Sequence, residues 1–178
     1  MKEVGVRASK IGGMKWDVRF IKLAGHIAEW SKDPSTQCGA VIVREDRTIT
    51  SMGFNGFPRG ISDVPLITRG REEKLERTIH AEMNAILHSK ERLLGHTLYT
   101  WPFGPCCRCA VHIIQSGIAR VVAPPNPPER WRESIQTAKE LFYEADISYD
   151  EVGWVFDYPP GSDSHGTGGW RDSSEESQ

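Results

Sequence analysis

No run in this chain approaches the ~18 consecutive apolar residues that a membrane-crossing helix needs, and residues 1–14 lack the apolar centre of a secretory leader. The expectation is a soluble, cytoplasmic protein without a membrane partner. An excess of one charge is missing too: 22 Lys and Arg stand against 24 Asp and Glu, a formal net charge of −2 with a pI near 6.3. Such a balance creates no global field to attract a polyanion, so nucleic acid is not expected as a partner. Cysteine is scarce, with four residues. Two disulfides are arithmetically possible, but Cys106 and Cys109 have metal-ligand spacing, which in a non-secreted chain points to a reducing compartment. Cys38 then reads as a small apolar residue in a strand, and Cys107 as a bystander. Internal repeats are absent as well. What is present suits 178 residues folded as one compact domain. Residues 1–13 read as a mobile lead, 14–158 as the folded domain, and 159–178, rich in Gly, Ser and acid, as a loosely tethered tail.

The chemistry-bearing residues fall in two clusters, His80-Ala81-Glu82 and Pro105-Cys106-Cys107-Arg108-Cys109. Zinc binds imidazole nitrogen and thiolate sulfur, and a catalytic zinc takes three protein ligands with a fourth position left to water. His80, Cys106 and Cys109 supply three. Pro105 suits the first position of a helix, and Ala110, Ile113 and Ile114 continue it with the spacing of a buried face. Cys106 and Cys109 then share one side of the first turn, where the positive helix end and the metal favour thiolate. Ile79, Met83, Ile86 and Leu87 mark a second helix beginning near His80, and the side chains of His80 and Glu82 tilt toward its N-terminus. Two helix starts are therefore expected to converge on one Zn2+. Zinc with an open position brings the pKa of its water to about 7, and Glu82 is placed to move protons between that water, a substrate ring and a leaving amine. A closed structural site would need a fourth protein ligand: Cys38, Cys107 and His112 are the candidates, and spacing alone leaves His112 open. The catalytic reading is preferred because a structural site gives Glu82 no task. H-x-E paired with P-C-x-x-C resembles the signature of zinc-dependent deaminases, which attack C4 of cytosine or C6 of adenine.

In chain order, Trp16, Phe20, Leu23, Ala24, Ile27 and Trp30 predict an amphipathic helix packed on a core. It should end near Ser31-Lys32, since Pro34 disfavours helix at Asp33. Residues 38–43 and 48–53 read as a hairpin. Residues 53–60 hold three glycines, a proline and an asparagine, a composition for a turn whose backbone can approach a ligand. Residues 61–79 are polar and read as a loop with a short, solvated helix. Strands at 97–101 and 120–123 flank the cysteine helix and should lie parallel. A helix at 129–145 follows the proline break, and the last edge strand is 147–149 or 152–156. The sum is an α/β fold of three layers, α/β/α, with a mixed sheet of about five strands and helices on both faces. The metal belongs at the carboxyl ends of strands.

Residues 31–37 (Ser-Lys-Asp-Pro-Ser-Thr-Gln), residues 53–60 (Gly-Phe-Asn-Gly-Phe-Pro-Arg-Gly), His80-Ala81-Glu82-Met83-Asn84-Ala85-Ile86 and Pro105 to Cys109 resemble, in the same order, the deoxycytidylate (dCMP) deaminase family, phage members included. The resemblance runs from about Phe20 to Val122 and makes residues 14–158 a zinc deaminase domain of the cytidine-deaminase-like fold. It implies conversion of dCMP to dUMP and ammonia, a homohexamer, activation by dCTP with Mg2+, and inhibition by dTTP. It carries the zinc ligands to His80, Cys106 and Cys109 and the proton shuttle to Glu82. Asn55 matches a sugar-hydroxyl contact, and the Ala81 backbone matches the group that reads the pyrimidine O2. Gly53, Phe54, Gly56, Pro58, Arg59 and Gly60 match an effector loop, with Arg59 as a phosphate contact and Phe54 standing where the family usually has Tyr. After the fourth strand the family has a Tyr and Asp stretch that helps hold the substrate phosphate. This chain has Pro124-Pro125-Asn126-Pro127-Pro128-Glu129-Arg130-Trp131 instead, so the phosphate is assigned to Lys32, Arg130 or Arg132, with Ser31 a further substrate contact. A dual dCMP/dCTP deaminase is the nearest alternative. A tRNA adenosine deaminase, with Trp101, Phe103 and Trp131 as stacking platforms, and a non-catalytic zinc scaffold are more distant ones.

Overall fold

β1 (Gly39–Val43) is buried at every position, which a strand achieves at the centre of a sheet covered on both faces. It pairs antiparallel with β2 (Ile49–Phe54) on one side and with β3 (Thr97–Trp101) on the other. β3 pairs parallel with β4 (Arg120–Ala123), and β4 parallel with β5 (Ser148–Glu151). The order is β2-β1-β3-β4-β5, a mixed five-stranded sheet. The computed structural model describes residues 11–62 and 70–153. The expected tail at 159–178 and the first ten residues of the expected lead lie outside them.

Side chains alternate across the strands and so divide the core in two. Val41, Val43, Tyr99 and Val122 face helix α1 (Ile11–Ala28), which buries Phe20, Ile21, Ala24 and Ile27 against them. Ala40, Ile42, Leu98 and Val121 face the opposite way. That face is covered by α3 (Ala81–His88), α4 (Cys107–Gln115) and α5 (Glu129–Glu144), through Ala81, Ala85, Ala110, Ile113, Ala138 and Phe142. The result is the expected three-layer α/β/α arrangement. A short helix, α2 (Arg71–Arg77), precedes α3. Two glycines allow close layering: a Cβ on Gly39 would fall 2.0 Å from the Ala24 carbonyl oxygen, and one on Gly53 would fall 2.4 Å from the Ala85 nitrogen.

Several expectations need correction. α1 begins at Ile11, so Gly12-Gly13 are helical rather than the end of a lead, and it stops at Ala28 rather than Ser31-Lys32. Trp30 therefore lies past the helix and is half exposed, its edge against the Phe54 ring. Leu87, placed on the buried face of the second helix, is exposed. Of the two last strands offered, the one near residue 148 forms. α2 is not wholly solvated, because Lys74 is buried. No helix among the described residues is long and apolar enough to cross a membrane.

Candidate metal centre and its cavity

His80 and Cys106 occupy equivalent places, each the N-cap of a helix: His80 of α3 and Cys106 of α4, both with extended backbone angles. The α4 helix opens at Cys107, two residues later than Pro105 suggests, and this matters for the chemistry. An N-cap residue has its side chain ahead of the first turn, where it ordinarily caps the orphan N–H groups. Neither side chain does so, so both are free to serve another centre. In α4 the Cys107 N–H is satisfied instead by the Ser134 hydroxyl, 3.1 Å away, and that hydroxyl also lies 3.3 Å from the Cys107 sulfur. Cys107 therefore anchors α4 to α5 rather than standing idle.

The His80 Nδ1 lies 3.5 Å from the Cys106 sulfur and 3.3 Å from the Cys109 sulfur. A tetrahedral zinc with Zn–N near 2.0 Å and Zn–S near 2.3 Å places such atoms about 3.5 Å apart. The donor set fits zinc both in chemistry and in spacing. Among the described residues, His80, Cys106 and Cys109 are the one group of potential ligands that close together. His112 is exposed on α4 with its Nδ1 on the Arg108 carbonyl at 2.8 Å. Cys38 and Cys107 lie outside the group. Among the described residues three side chains could thus hold an ion, the number an open catalytic site requires.

Without metal, the three groups share protons. The Cys109 thiol and His80 both donate to Cys106 and hold its thiol down to about 4. Cys106 in turn raises His80 to about 9, and Cys109 keeps its proton because Cys106 accepts it and burial opposes a second thiolate. A divalent cation displaces these protons on binding. Glu82, in the first turn of α3, is buried beside them, and burial pushes its carboxyl above the usual carboxylate range while His80 opposes the shift. A carboxyl held in that direction is suited to carry a proton near neutral pH.

His80, Glu82 and Cys106 line a cavity of about 290 Å³, close to the lower size of small-molecule sites. Its walls also include Cys38, Asn55, Phe103, Gly104 and Trp131, and its charged lining includes Asp33, Arg71, Lys74 and Arg130. The Trp131 ring stands edge-on to His80 at 6.2 Å and leans on Phe103 at 6.0 Å. Trp101, the third aromatic considered, lies instead against Gly25 on the α1 side.

The other sequence-derived site residues divide clearly. Asn55 reaches the cavity, but its Oδ1 accepts from the Cys38 N–H at 2.7 Å and its Nδ2 donates to the Thr36 carbonyl at 2.9 Å, so it also fixes the 31–38 segment. Ser31 is buried outside the lining and donates to the Asn55 carbonyl at 2.8 Å. Lys32 is exposed and outside the lining. Ala81 is buried at the start of α3. Arg130 lines the cavity and donates to the Thr36 hydroxyl at 2.9 Å, whereas Arg132 is outside it and pairs with Glu129. Of the proposed effector residues, none lines this cavity. Gly53 and Phe54 end β2, where the Phe54 carbonyl accepts from Asn84. Gly56 bridges to Ile79, the Pro58 carbonyl accepts from the Ile61 N–H, Gly60 turns with φ +82°, and Arg59 reaches His88 at 3.1 Å.

Sequence reasoning missed Lys74, Arg71, Asp33, Ser35 and Thr36. The last three lay inside the 31–37 motif and were available from it. Lys74 and Arg71 sat in a charge run with nothing to set them apart.

Residues 14–124 match the family model described as the cytidine and deoxycytidylate deaminase zinc-binding region. An uncharacterized deaminase from the luxG 3′ region of Aliivibrio fischeri is 45% identical over 144 residues, covering 79% of this chain and 94% of that protein. The deoxycytidylate deaminase of Mus musculus is 36% identical over 144 residues, covering 76% of this chain and 79% of that protein. The fold is similar to the crystal structure of the dCMP deaminase of cyanophage S-TIM5 in complex with dCMP and dUMP. The TM-score is 0.59 at 22% identity, covering 81% of this chain and 99% of that one.

Proposed function

The chain belongs to the cytidine and deoxycytidylate deaminase zinc-binding family, and from that premise we propose that this zinc-dependent deaminase hydrolyses dCMP to dUMP and ammonia. The observation that carries the reading is the His80, Cys106 and Cys109 triangle, of which His80 and Cys106 line the same cavity as the buried Glu82. The mouse, human and yeast relatives are deoxycytidylate deaminases, which supports the nucleotide.

Zinc held by these three side chains supplies Lewis acidity and makes a water nucleophilic at neutral pH. Glu82 accepts one proton from the attacking water and delivers it to the ring nitrogen, then takes the second from the new C4 hydroxyl and passes it to the departing amine, as its raised, buried carboxyl favours. Attack at C4 and loss of ammonia leave the uracil product. Phe103 and Trp131 provide apolar walls for a ring and exclude water from the reacting face. The free N–H of Asn55 and the Ala81 backbone are assigned to the sugar hydroxyl and the pyrimidine O2. Residues 53–60 are assigned to an effector, dCTP with Mg2+ activating and dTTP inhibiting, in a homohexamer. Arg59, exposed beside His88, supports a phosphate contact there.

Loss of cytosine absorbance, measured for dCMP, dCTP, deoxycytidine, CMP and tRNA with and without dCTP and dTTP, tests the reading. Highest kcat/KM for dCMP is the expected result. Equal turnover of dCTP would establish the dual enzyme instead, and turnover of tRNA alone would overturn both.

A further inference from the structure

The charges around the cavity do not balance. Lys74 donates to Asp33 at 2.9 Å and to the Ser35 hydroxyl at 3.0 Å, so that ammonium is already neutralised and hydrogen-bonded. Arg71, from the first turn of α2, and Arg130, from the first turn of α5, line the same cavity and are both exposed. Among the described residues neither has a carboxylate partner. The nearby acids Glu73 and Glu129 are engaged with Arg77 and Arg132. Arg130 is nonetheless oriented, because its Nη2 donates to the Thr36 hydroxyl at 2.9 Å.

Resting on the nucleotide reading above, we propose that Arg71 and Arg130 clamp the 5′-phosphate of the substrate, with the Thr36 hydroxyl completing the cradle. Guanidinium groups are planar forks matched to phosphate oxygens. A phosphate monoester carries about −1.5 to −2 at neutral pH, which two unpaired guanidinium groups neutralise. A triphosphate brings about twice that charge, and the described cavity lining has no third unpaired cation to meet it. The clamp therefore selects a monophosphate over both the nucleoside and the triphosphate. Lys74 takes no phosphate; it is a positioning residue that holds the Asp33 to Thr36 turn through Asp33. The clamp draws on two helices that precede and follow the catalytic residues in sequence.

The test uses the zinc-loaded full chain with Arg71→Ala, Arg130→Ala and the double variant, each checked for zinc content and thermal unfolding. Each single change is expected to raise KM for dCMP roughly 10- to 100-fold, the size of one charge-assisted contact, with kcat changing far less. The ratio of kcat/KM for dCMP to that for deoxycytidine should collapse. Calorimetric titration with dUMP and deoxyuridine gives a readout independent of turnover: the parent should prefer dUMP, and the double variant should lose that preference. Parallel loss on dCMP and deoxycytidine, or unchanged dUMP affinity in the double variant, would overturn the clamp. If the parent prefers dUMP in the titration yet turns over another cytosine nucleotide better than dCMP, the clamp stands and the dCMP assignment falls.

Discussion

Lys74→Met asks whether a buried ion pair organises the cavity wall. Lys74 and Asp33 have side chains only 9% and 5% exposed. The Asp33 Oδ1 also accepts from the Ser35 and Thr36 N–H groups at 2.8 and 3.2 Å. Removing the ammonium leaves a buried carboxylate with two backbone donors and no counter-charge. Breaking such a pair costs about 3–5 kcal/mol, which for a domain of this size lowers Tm by roughly 6 to 20 °C. Arg77→Ala on the same helix breaks the Glu73 pair, whose partners are 38% and 45% exposed, and should cost less than about 1 kcal/mol. Thermal and urea unfolding of both variants, followed by circular dichroism, gives the comparison. The double variant Asp33→Asn with Lys74→Met removes both charges and should recover at least half of the loss. If Lys74→Met is as mild as Arg77→Ala, or the double variant is no better than Lys74→Met alone, the buried pair does not hold the cavity wall.

Three further outcomes follow from the site and its surroundings. Glu82→Gln should keep one zinc per chain while kcat falls about 10²- to 10⁴-fold. Because burial raises the folded carboxyl, its stabilising share is full below the ordinary value and is lost as pH rises. The metal-free Glu82→Gln chain should thus be at least as stable as the parent at pH 7. Cys106, held as a thiolate down to about 4, should be alkylated by iodoacetamide in the metal-free chain even at pH 5–6, and zinc should protect it; equal labelling with and without zinc, read by mass spectrometry, would count against its role as ligand. Arg44 and His96 hold Glu91 down to about 2, so its contribution is present above about pH 4.5 and lost as pH falls toward 2; Glu91→Gln should flatten the acid limb of the stability curve between those values, and an unchanged limb would show the pairs to be inert.

The sequence by itself determined the ligands and the layers. His80, Glu82, Cys106 and Cys109 are chemically distinctive and closely spaced, so their meeting was readable before any fold. The unbroken apolar run of β1, with amphipathic helices between strands, required a sheet covered on both faces. Tertiary structure alone decided how the cavity is walled. Lys74 looks like any residue of a solvated run until α2 packs against the 33–36 turn, because burial of one lysine leaves no periodic trace. The same holds for Arg71; Arg130 was named from the sequence, but the two lie nearly sixty positions apart and become one pair of charges only when two helix starts are brought to one mouth. The N-cap placement of His80 and Cys106, rather than a first-turn position, was likewise a matter of backbone angles that neighbouring packing selects. Local chemistry names the reacting groups, but the distances that join remote charges are set by how the layers stack.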